Sequence, residues 1–119
     1  MTDTHKLLND LQHFTGTENW YKNPLFPNYL YTDGVKYLAE QASCYWLIDY
    51  VFSNQIDAKI KREEFQTWTI RTKDNQAIII VEDGNDNIVK QFNLEYTDFP
   101  LKEFTLWFTN STLFLPSEY

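Results

Sequence analysis

The chain has 119 residues, with 10 lysines and arginines against 17 aspartates and glutamates, for a net charge of −7. That length suits one domain with a core large enough to need no disulfide or metal staple. The acidic balance repels phosphate backbones, so no nucleic acid is expected as a partner. Four Trp, eight Tyr and nine Phe against three Gly and four Pro exclude a disordered or low-complexity chain.

The opening segment, "MTDTHKLLNDLQ", lacks the apolar stretch of a signal peptide. Leu7, Leu8, Leu11 and Phe14 fall on one helical stripe, and Gly16 is a stop signal. In "TGTENWYKNPLFPNYLY", Pro24 and Pro27 break regular structure, which predicts an aromatic loop lying over a core. "YTDGVKYLAEQA" is the clearest helix. Thr32 or Asp33 can accept from its first turn, and Val35, Leu38, Ala39 and Ala42 form its buried face. Ser43 either caps a second helix from Cys44 or lies within one continuous helix. From Tyr45 to Phe52 nearly every position is apolar, which predicts a helix buried on most sides. "DAKIKREE" interleaves both signs of charge and reads as a solvated turn or strand entry.

The second half changes period. "EFQTWTIRT", "QAIIIVED", "NIVKQFNLEY", "EFTLWFT" and "TLFLP" are rich in β-branched and aromatic residues, with short turn signals between them. Helices followed by strands predict a single α+β domain over residues 1–119. Two or three N-terminal helices would pack on one face of a four- to five-stranded antiparallel meander. The run Leu113–Leu115, stopped by Pro116, is expected to close the sheet edge with Tyr119 beside it.

A search for chemistry returns little. His5 and His13 lie about 12 Å apart along one helix and cannot share a metal from it, and no paired-Cys or HExxH pattern exists, so neither a metal nor another cofactor is expected. "EDGNDN" has the Asp-Gly of a hairpin turn and not the spacing of a calcium loop. Cys44, the single cysteine, is expected as a small buried core residue in a reducing cytoplasm. No run reaches the roughly 20 apolar residues of a membrane span. Asp49 interrupts the greasiest stretch, "CYWLIDYVFS". A carboxylate there needs a donor, for which Arg71 is the first candidate and Tyr or Trp groups the second.

The words "FTGTENWY", "YTDGVKYLAEQA", "YWLID", "EFQTW", "YTDFPL" and "LPSEY" span nearly the whole chain. In that order they resemble an uncharacterised family of small bacterial, plasmid and phage proteins, a domain of unknown function. The resemblance implies a stand-alone cytoplasmic domain and brings no activity, cofactor or catalytic residue. It places Asp33, Asp49, Asp98 and Tyr119 inside the matched words.

Two functional readings follow. The first is a small acidic protein-interaction domain without catalytic activity, pairing with another protein or with itself, most simply as a two-fold homodimer through an open strand edge. The second is a small-molecule binder or small enzyme with an aromatic and acidic pocket. Its candidate ligand-binding residues are Tyr31, Asp33, Tyr45, Asp49, Arg71 and Asp98.

Overall fold

A computed structural model describes residues 3–119. The fold is α+β. The elements are α1 (Thr4–Gln12), β1 (Trp20–Asn23), β2 (Phe26–Thr32), α2 (Asp33–Gln41), α3 (Tyr45–Ser53), α4 (Ala58–Lys61), β3 (Phe65–Lys73), β4 (Gln76–Asp83), β5 (Ile88–Leu94), β6 (Glu103–Thr109) and β7 (Thr112–Phe114). Single 3-10 turns follow α3 and β7, at Asn54–Ile56 and Pro116–Glu118.

The sheet has seven strands in the order β1-β2-β7-β6-β3-β4-β5, which corrects the expected meander of four or five. The two extra strands come from the segment read as an aromatic loop. Pro24 sits in the turn between them, and the Asn23 side chain accepts from the Leu25 N–H at 2.8 Å. Pro27 falls where the β1–β2 register jumps from Lys22↔Leu30 to Asn23↔Phe26. A residue in such an irregularity needs no ladder N–H, so the proline is tolerated there.

The terminal apolar run does not form an edge. β7 is interior, antiparallel to β6 and parallel to β2 through Leu30↔Thr112 and Tyr31↔Leu113. The edges are β1 and β5. "DAKIKREE" is also corrected, since it contains α4, whose first turn is capped by Asp57 accepting from the Lys59 N–H at 2.8 Å. Ser43 does not cap α3. It has φ 52, a left-handed residue that breaks α2 from α3. The hairpin turns likewise use Asp74 and Asn75, and Asn110 and Ser111, at positive φ. Asn and Asp tolerate that region best after glycine, which a glycine-poor chain requires.

One face of the sheet and the helices share a single core. Trp68, Ile70, Ile79, Val81, Leu106, Phe108 and Leu113 join Val35, Leu38, Ile48, Val51 and Phe52 in it. Cys44 lies in this core as expected, and burial pushes its thiol up to about 12. A polar knot is buried there as well. Gln55 and Gln66 exchange two amide bonds of 2.9 Å, Gln66 donates to the Ile60 carbonyl at 2.9 Å, and the Trp68 indole donates to Gln66 at 2.9 Å. Such a network costs little when every group is paired and much when one is lost. Gln66→Leu is therefore expected to destabilise the fold by about 1–3 kcal/mol, read as a lower urea midpoint with native circular dichroism retained in buffer.

Candidate functional site

Four of the six sequence-predicted site residues gather at the corner where β1 and β2 meet α2 and α3. Asp33 begins α2 and is held by a remote loop. Its carboxylate accepts from the Tyr21 hydroxyl at 2.7 Å, the Glu18 N–H at 3.0 Å and the Asn19 N–H at 3.2 Å. Its own N–H donates to Thr17 Oγ1 at 2.9 Å. The Tyr21 hydrogen bond, helped by the two backbone donors, lowers Asp33 to about 2.

Glu118 completes the knot from the far end of the chain. It accepts from the Thr32 hydroxyl at 2.6 Å, the Gly34 N–H at 3.1 Å and the Leu115 N–H at 2.9 Å. A Cβ on Gly34 would lie 2.6 Å from Leu115 Cδ1 and 2.7 Å from Glu118 Oε1, so only glycine fits without a shift.

Tyr31 stacks on Tyr21 with ring centroids 5.5 Å apart. Burial raises its hydroxyl, with Glu40 and Asp49 adding to the rise. Tyr45 is exposed and donates to Glu40 at 3.3 Å. Asp49 is half-buried on α3, and its donor is the Asn23 side chain at 2.6 Å rather than Arg71. Arg71 cannot serve it because the period of β3 turns Arg71 to the opposite face of the sheet, where its Nε donates to Glu103 at 2.8 Å. Asp98 lies apart, exposed in the β5–β6 connection, where its charge adds to burial in raising Cys44.

The second candidate is that opposite face. Along β3, Gln66, Trp68 and Ile70 point to the helices, so Phe65, Thr67, Thr69 and Arg71 point away. Register carries the same parity to Ile78, Ile80 and Glu82 on β4, to Thr105 and Trp107 on β6, and to Phe114 on β7. None of these positions belongs to the core that the helices share; neighbouring side chains bury Thr69, Ile80 and Phe114 and leave Phe65, Thr105 and Trp107 half-buried, while Ile78 is exposed. Trp107 meets Phe65 edge-on at 5.2 Å, Phe114 at 6.2 Å and Tyr119 at 5.5 Å, and Tyr119 stacks on Phe114 at 6.0 Å. Tyr119 thus sits beside the last apolar run as expected, but on the open face.

Two hollows flank Tyr119. One, of about 530 Å³, is lined by Phe65, Thr67, Trp107, Glu82 and Asp86 among others. The other, of about 370 Å³, lies between Trp20, Phe114 and Thr112. Asp83 borders the first hollow, but its carboxylate is lowered by the N–H groups of Asn87 and Asn85 and serves the β4–β5 turn. Rings and carboxylates of this kind suit an apolar or cationic group.

Sequence reasoning missed Tyr21, Asn23 and Glu118, whose roles depend on contacts between distant segments. Phe65 and Trp107 were within reach. They stand at the opposite parity to Trp68 and to the alternation Phe104, Leu106, Phe108.

The depressed Asp33 sets an acid limit. Its contribution to stability is complete above the unfolded carboxylate value near 3.9 and is lost as pH falls toward 2. Asp33→Asn is expected to lower stability at neutral pH and to flatten the decline between about pH 4 and 2. Urea titrations across that range check this; an unchanged slope would mean that Asp33 is not the titrating clamp.

No described helix is long and apolar enough to cross a membrane, and no described group of three or more His, Cys, Asp or Glu residues could hold a metal. No curated protein and no solved structure matches the chain. A family model does match, over residues 5–119, and the chain belongs to that family, a family of unknown function, DUF6876.

Proposed function

We propose that this chain is a small cytoplasmic protein-interaction domain that docks a protein partner on its open sheet face. The observation that carries this reading is the run of Phe65, Trp107, Phe114 and Tyr119 on the face opposite the helices. Tyr119 is exposed, Phe65 and Trp107 are half-buried and Phe114 lies beneath them, so the rings form one contiguous apolar patch of the kind that favours association. Five threonines stand among them (Thr67, Thr69, Thr105, Thr109 and Thr112) and set short polar groups between the rings and the charged ends of the face. The buried thiol of Cys44 supports a reducing compartment.

The alternative, a small-molecule site at Tyr31, Asp33, Tyr45 and Asp49, is not favoured. The carboxylates of Asp33 and Asp49 already accept from groups of the fold itself. Asp98 and Arg71 do not reach that corner.

Site-specific photocross-linking tests the reading. A benzophenone side chain at Thr67, on the open face, is expected to give a discrete protein adduct in the native host. The same group at Lys36, on α2, is expected to give none. Absence of an adduct at Thr67 at native abundance would remove the docking role.

A further inference from the structure

Resting on that docking role, we infer that the occupant of the open face is a second copy of this chain, packed face to face about a two-fold axis. The face has two unlike ends. At one, the hollow walled by Phe65, Trp107 and Tyr119 is lined by the carboxylates Glu82, Asp83 and Asp86 and by no lysine or arginine. At the other, β3 carries Arg71 and Lys73 against Glu95 and Glu103, with Arg71 paired to Glu103 and Lys73 exposed. The middle is neutral: Thr69 and Thr105 hydrogen-bond to each other at 2.9 Å beside Ile78 and Ile80.

Thr69 stands four residues from Phe65 and four from Lys73 on the same strand. A two-fold axis crossing the strands at Thr69 therefore lays Lys73 of each copy over the aromatic hollow of the other, about 13 Å from the axis at the rise of a β-strand. Lys73 makes no ion pair among the described residues. Trp107 is inclined at 65° to Phe65 and at 79° to Tyr119, so the rings form walls around a cation, and Glu82 supplies the countercharge.

The dimensions agree. Seven strands of three to nine residues span about 29 Å across the sheet, and the corrugated face they present is of the order of the 800 Å² that each partner buries in a standard interface. The net charge of −7 does not forbid pairing, because charges on the outer surfaces lie beyond the roughly 10 Å over which they act at 0.1 M salt.

Sedimentation equilibrium on the full chain tests the inference, with circular dichroism confirming that each variant folds. The variants are Lys73→Glu, Glu82→Lys and the double swap. The wild type is expected to dimerise, each single swap to weaken the dimer about 10-fold or more, and the double swap to recover to within about 3-fold, because the pair is restored with its signs exchanged. Glu82→Gln, which removes the countercharge without reversing it, provides a second single variant should Glu82→Lys fail to fold.

A wild type that stays monomeric to about 1 mM, a limit near the weakest specific association, would overturn the inference. So would single swaps without effect, or a double swap no better than its components. A monomer that still cross-links to a different protein at Thr67 would overturn the second-copy inference alone and leave the docking role standing. A monomer with no adduct would remove both.

Discussion

Two carboxylates at the start of α2 hold the rest of the molecule in register. Asp33 gathers the segment Thr17–Tyr21, and Glu118 gathers Thr32, Gly34 and Leu115. The amide groups of a helix N-terminus are unsatisfied in isolation and favour negative charge. Here that ordinary local need is met by Thr17, 16 positions upstream, and by Glu118, 84 positions downstream. The same contacts fix β1 against β2 and bring the last residues of the chain alongside both. Glu118 thereby ties the end of the chain to the start of α2, while Leu113 and Leu115 bury in the core beside it.

That knot also accounts for the division between what was legible in the sequence and what was not. The helical periods of residues 33–52 and the alternation in residues 65–109 depend on local burial, and they give the α+β class, α2, α3 and the strands of the second half directly. The strands at residues 20–32 depend on the register jump beside Pro27 and on a partner more than 80 residues away at Leu113. No window of the sequence contains both. Asp49 has the donor that a carboxylate in an apolar helix requires, but that donor is Asn23, in the segment whose prolines predict a loop, and not Arg71. The parity of β3 would have excluded Arg71, because a residue odd-numbered with Phe65 cannot share a face with Trp68.

The open face is the counterpart of the covered one. Helices α2 and α3 satisfy one side of the sheet, and among the described residues no helix joins its buried face to the other. Two-layer domains commonly leave such a face to water and populate it with short polar groups. This one does so over its middle, at Thr67, Thr69 and Thr105, and then places Phe65, Trp107, Phe114 and Tyr119 together at one end. The departure from the polar pattern is local, and it is what separates this surface from a merely solvated one.

The strand order has a consequence for the speed of folding. β3, β4 and β5 are joined by tight turns whose left-handed residues preset their pairing, so this part of the sheet closes through short loops. The β2–β7 pairing must close a loop of roughly 80 residues, and loop entropy makes such a contact late. An emerging chain therefore holds a finished three-stranded hairpin set while its N-terminal strands, and the greasy α3 beside them, still lack their neighbour. The rate of reaching the native state is therefore expected to follow how quickly residues 112–118 find residues 30–34.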